Sequence, residues 1–180
     1  MFVLDIRGNG GETTGTPFSI DDDFQRFQRG EWPQFYAIVA DLIAAQKYAT
    51  SAFRVPVFLA GESNGGRYAA IAVAADKDAA GFIGVSTSGF GLLGNRYIGK
   101  TRIFLLSIDP DHTISMIAPR PVLILHALDD PVIPYDDGRA LYERSHEPKQ
   151  MINMSNGHGI SGDADQIIMD YVLNFKTMEK

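Results

Sequence analysis

The chain contains no cysteine, which removes disulfides, thiolate metal sites and cysteine nucleophiles together. Positive charge is also scarce: 16 Lys and Arg stand against 22 Asp and Glu, a formal net charge of -6. An acidic surface does not attract phosphate backbones or anionic membranes, so no nucleic acid and no membrane partner is expected. Long apolar runs are missing as well, the longest falling short of a membrane span. Met1 leads directly into Phe2-Val3-Leu4-Asp5 with no basic region and long apolar stretch of a secretory leader, and the expected location is cytoplasmic. The four histidines are scattered without ligand spacing, so neither a metal nor a cofactor is expected. The acidic run Asp21-Asp22-Asp23 reads as a solvated loop or a helix start rather than a cation site.

What is present is enough for one substantial core: 180 residues, 45% of them hydrophobic, with no composition shift to mark a second domain. A single domain over 1–180 is expected. Short apolar runs alternate with longer helical patterns. Phe2–Ile6, Val55–Ala60, Phe82–Val85, Val122–His126 and Met151–Met154 are brief, β-branched or aromatic, and closed by Gly, Asp or Asn, as buried strands are. Pro33–Tyr48, Arg67–Ala75, Asp137–Ser145 and Asp163–Phe175 carry helical spacing, with Asp163 or Asp165 suited to the first turn of the last. This alternation predicts the α/β class: a mostly parallel sheet of about five strands with helices on both faces. Ligands of such sheets bind beyond the carboxyl ends of the strands. Arg7–Ile20 reads as a long loop. The stretch 89–117 reads either as an ordinary crossover connection or as a small lid or dimer surface.

The most informative local pattern is Gly61-Glu62-Ser63-Asn64-Gly65, a G-x-S-x-G between a strand-type run and an Ala-rich helical run. A serine on so sharp a turn is pushed toward strained backbone angles, and small flanking residues such as Gly61 and Gly65 let the turn close. Ser63 is therefore a candidate nucleophile. Acyl transfer also needs a base and a group to orient it. Asp129 and Asp130 follow the strand Val122–Leu125, and His158 lies in the small-residue loop Asn156-Gly157-His158-Gly159 after the last strand. The chain order Ser, Asp, His is that of the serine-elbow architecture. Each residue also has a plainer reading: Ser63 as a helix cap, Asp130 as a turn acid, His158 as a loop residue bonded to backbone. His126 reads as structural at a strand end, and His112 and His146 as surface residues.

With these residues in view, the chain resembles the α/β-hydrolases over nearly its whole length. Asp5-Ile6-Arg7-Gly8-Asn9-Gly10 is similar to the Asp-x-Arg-Gly-x-Gly segment of that family, and His126 through Pro134 to its His-Gly-x-x-Asp-x-x-Val-Pro segment. Matched residue by residue, the resemblance implies Ser63 as nucleophile, Asp130 rather than Asp129 as triad acid, and His158 as base. It implies a serine hydrolase, foremost a carboxylesterase acting on small or medium acyl esters, with a peptidase ranked well below. On this resemblance the sequence is expected to open at the family's fourth strand, with no counterpart before Asp5 of the usual oxyanion loop and the first three strands. The N–H of Asn64 supplies one oxyanion donor, and Asn9 or Gly10 is the expected substitute for the second. Phe2–Ile6 is expected to move beside the elbow strand, with a homodimer completing the sheet edge as the next solution. A non-catalytic or truncated module is the alternative to an enzyme. The substrate pocket is expected from Gly8–Phe18 and Phe90–Leu106.

Overall fold

The computed structural model describes residues 1–8, 12–155, 157–160 and 164–178, with side chains described to residue 175. Within these, four strands form one parallel sheet in the order β1-β2-β3-β4: β1 Phe58–Glu62, β2 Gly81–Val85, β3 Val122–Ala127 and β4 Lys149–Met154. The side-chain period of two divides the sheet between two cores. Phe82, Val122 and Ile124 face one core with helices α2 (Gln34–Phe53), α3 (Asn64–Ala75) and α6 (Tyr135–Arg144). Ile83, Val85, Leu123 and Leu125 face the other, covered by Ile167, Ile168, Tyr171 and Val172 of α7 (Ala164–Met178). The α/β layering follows the periodicity of the sequence. The residues of β2 and β3 are buried on both faces, as parallel strands under helices must be.

Phe2–Ile6 is not a strand, contrary to expectation. Phe2 and Val3 are exposed, and the Phe2 ring packs on Phe53 at the end of α2. Side chains decide this: Arg7 forms a two-pronged ion pair with Asp41 of α2 at 2.7 Å, and the Asp5 carboxylate accepts the N–H groups of Glu12 and Thr13. The segment is thus pinned to a helix rather than laid beside β1. The sheet accordingly has four strands among the described residues, and β1 pairs with β2 alone. β1 also begins later than its apolar run, at Phe58, because Pro56 cannot donate to a ladder.

The acidic run opens a helix, α1 (Ile20–Arg29). Ser19 caps it by accepting the Asp22 N–H, and the three aspartates sit in its first turn, where the helix dipole favours negative charge. Asp23 is not solvated: it is 2% exposed, and its carboxylate accepts the N–H groups of Gln34 and Phe35, capping α2 in place of the Pro33 side chain. The stretch 89–117 is the crossover from β2 to β3, comprising two 3-10 turns, α4 (Gly99–Ser107) and the short α5 (Pro110–Thr113). Phe104, Ile108, Ile114 and Ile117 along it are fully buried, which makes it part of the core. Ring contacts from Phe24 and Phe27 to Phe104 bind α1 to α4.

Candidate functional site

Ser63 stands between the last residue of β1 and the first of α3, with φ 52° and ψ -121°. This is left-handed territory that a serine occupies only when its surroundings impose it. The Ser63 N–H donates to Val85 O on the neighbouring strand, and Thr87 Oγ1 donates to Ser63 O at 2.8 Å. A Cβ on Gly61 would run into the Gly65 carbonyl, and one on Gly66 into the Thr87 side chain. A Cβ on Gly65 would meet nothing within 4 Å. The close approaches that shape the turn therefore belong to Gly61 and Gly66, and Gly65 takes part through its backbone only.

At the far edge of the sheet, Asp130 and His158 come together. His158 Nδ1 lies 3.0 Å from Asp130 Oδ1 and 2.9 Å from Oδ2. The Asp130 side chain is fully buried, while that of His158 is 20% exposed. Burial pushes the Asp130 carboxyl up, but hydrogen bonds from the Ile133 N–H, His158 and the Val132 N–H outweigh it and hold the group below the usual carboxylate range. An ionised carboxylate only accepts, so the proton of a neutral His158 sits on Nδ1 and Nε2 presents a lone pair. Chemically, such an arrangement can serve a base whose ring is oriented by an acid.

Asp129 holds the loop backbone instead, one of its carboxylate oxygens accepting the Gly157 N–H at 3.2 Å. His126 is fully buried, and its Nε2 donates to Ile133 O at 3.0 Å and lies 3.5 Å from Asp130 Oδ2. His112 and His146 are exposed.

The backbone carries Ser63 and His158 to the same end of the sheet. Val85 O receives the Ser63 N–H, the next residue, Ser86, accepts the Gly159 N–H on its Oγ, and Glu62 accepts the Ile160 N–H. The Ser63 hydroxyl and His158 Nε2 are not hydrogen-bonded to each other. Among the described residues neither has another partner.

Asn64 opens α3, whose first N–H groups have no partner within the helix. Its side-chain Oδ1 accepts from Arg67 Nη1 at 2.7 Å. Asn9 and Gly10 lie outside the described residues. Of the expected pocket segments, Phe18 packs edge-on against Tyr68 of α3, and Phe90 lies under the Arg67 guanidinium, 4.4 Å from the ring centre. Burial draws the Arg67 guanidinium below its ordinary pKa. The same side chain donates to Ser88 O and Ser88 Oγ, tying the end of β2 to the elbow helix.

Ser86, Thr87, Ser88 and Arg67, which bond to the Ser63 turn, the His158 loop or one another, are residues that motif reading passes over. Their signal in the sequence is position: three hydroxyl residues directly after a buried strand, at the carboxyl end where such sheets place their sites. Among the described residues, no group of three or more His, Asp and Glu could hold a metal ion, and no helix is long and apolar enough to cross a membrane.

No protein-family model matches the chain. It is similar to a protein named YfhR in two bacteria: 27% identical to that of Escherichia coli O157:H7 over 97% of this chain and 59% of that protein, and 41% identical to that of Salmonella typhi over 68 residues, 36% of this chain and 23% of that protein. Acetyl xylan esterase 1 from Thermoanaerobacterium sp. superposes with a TM-score of 0.71 at 18% identity, over 94% of this chain and 64% of that one. The chain thus spans less than two thirds of the length of these relatives. The likeness to esterase structures establishes an α/β-hydrolase-like fold.

Proposed function

We propose that the chain carries a serine hydrolase site, most specifically that of a carboxylesterase for small to medium acyl esters. The observation that carries this reading is the His158 Nδ1 contact with the buried Asp130 carboxylate, at the same end of the sheet as a serine with φ 52°. In this reading Ser63 Oγ attacks the ester carbonyl as His158 Nε2 takes its proton. The tetrahedral intermediate collapses to an acyl-enzyme, and the same proton passes to the departing alcohol. Water, deprotonated by His158, then releases the acid and restores Ser63. Asp130 keeps Nε2 aimed and stabilises the imidazolium. The Asn64 N–H faces the oxyanion, with Asn9 or Gly10 as the proposed second donor.

Catalytic hydrogen bonds of ligand-free enzymes are often long and tighten with substrate, which accommodates an unbonded Ser63 hydroxyl. The ester class is supported by the esterases among the structural neighbours. Short-chain aryl ester hydrolysis by the purified chain, beside Ser63→Ala, tests it: turnover lost in the variant supports the reading, and equal rates in both oppose it.

A second reading, a module inactive by itself, draws on one observation: β1, the elbow strand, pairs on one side only among the described residues. An exposed edge next to a reactive serine invites a further strand, from additional chain or from a second copy in a homodimer. Activity that appears only with dimerisation or with a longer polypeptide would favour it.

A further inference from the structure

The short loop that carries His158 is fastened from both sides by side chains. Gly157 N–H is held by Asp129, as described, on the side of β3. On the other side two successive amides donate to side chains: Gly159 N–H to Ser86 Oγ at 3.0 Å, and Ile160 N–H to Glu62 Oε2 at 3.1 Å. Gly159 has φ +98°, and a Cβ there would strike Glu62 Oε1 at 2.7 Å, so the loop backbone rests directly on that carboxylate. Ser86 is fully buried and itself adopts φ 45°, anchored by its N–H to Leu125 O. A serine held buried in this conformation, its oxygen on a loop amide, is a costly feature unless the loop position matters.

We infer that Glu62 and Ser86 are positioning residues for His158, and that they set the place of the imidazole relative to Ser63. Glu62 and Ser63 are consecutive, and Ser86 follows the residue that receives the Ser63 N–H. The strand ends that fix the serine therefore also fix the histidine loop. The Asp130 contact fixes how the ring is turned; the two amide contacts fix where the loop stands. A carboxylate accepting an amide N–H makes the stronger, charge-assisted form of this bond, while a glutamine carbonyl can still accept it.

The kinetic side of this inference rests on the esterase reading, so its test includes a readout independent of turnover. Glu62→Ala, Glu62→Gln and Ser86→Ala are compared with the unaltered chain by steady-state ester hydrolysis and by the His158 Nδ1–H proton resonance. Glu62→Ala and Ser86→Ala are expected to lower kcat on the order of tenfold with KM little changed, and to broaden the resonance, since small misplacements of a reacting group cost rate steeply. Glu62→Gln is expected to recover most of both. An unaltered His158 resonance in Glu62→Ala overturns the inference, as does a Gln variant as impaired as the Ala variant. Glu62 is exposed, so its variants decide the matter even where Ser86→Ala fails to fold. If the unaltered chain shows no Ser63-dependent turnover, the esterase reading falls and the resonance alone decides the positioning role.

Discussion

Asp130 and His158, 28 residues apart in the chain, meet at 2.9 Å with the aspartate side chain wholly buried. The carboxylate has four hydrogen-bond contacts: Oδ1 accepts from Val132 N–H, Ile133 N–H and His158, and Oδ2 from His158. A group so held is a fixed reference against which an imidazole can be oriented. Asp130→Asn keeps the shape but lets the ring adopt the wrong tautomer, and ester turnover should fall by roughly a thousandfold or more. Asp129→Ala removes one amide contact at the same loop and should cost less than about tenfold. A larger loss in Asp129→Ala than in Asp130→Asn, measured as kcat/KM, would reverse the assignment of the acid.

The lowered pKa of Asp130 makes a second prediction, with a definite sign. A carboxyl group held below its unfolded-state value stabilises the fold above about pH 4, and that contribution is lost as pH falls through the lower folded-state value. The stability gap between the unaltered chain and Asp130→Asn should therefore be full near neutrality and narrow below about pH 4. Urea midpoints taken from pH 6 downward, with both proteins at each pH, check this. A gap that widens further as pH falls below about 4 would contradict it.

Much of this is legible in the sequence, and the exceptions have physical causes. The elbow, Asp130 and His158 can be placed because strand ends, small residues and chain order are all local patterns. Phe2–Ile6 reads as a strand because its composition is right for one, while the Arg7 to Asp41 ion pair that draws it to α2 spans 34 residues and leaves no local trace. Asp23 reads as one of three solvated acids because burial on the N-terminus of another helix is a tertiary fact. The hold of Ser86 on Gly159 joins residues 73 apart and leaves as little local signal.

The glycines of the elbow give a sharp contrast. Gly61→Ala drives a methyl into the Gly65 backbone and should destabilise the protein by about 1–3 kcal/mol while disturbing the serine. Gly65→Ala meets open space inside a helix, where alanine is preferred by up to about 1 kcal/mol, and should leave stability equal or higher. Thermal or urea unfolding of the two variants should rank them in that order. Equal destabilisation would mean that the turn closes differently.

Asp23→Ala should cost about 1–2 kcal/mol by uncapping α2, since two amide N–H groups lose their acceptor. Ester turnover per folded molecule should be unchanged, because Asp23 acts on the helix end and not on the elbow. Urea unfolding combined with active-site titration separates the two effects. A loss of turnover at full folding would assign Asp23 a role closer to the site.

The central claim is that Ser63 is a nucleophile activated by His158. Its most direct test is reaction of the chain with a fluorophosphonate, followed by mass spectrometry of the modified peptide. The expected result is a single phosphonyl adduct on Ser63, absent in Ser63→Ala and strongly slowed in His158→Ala. No adduct on the folded chain, or one on another residue that persists in Ser63→Ala, would contradict the account.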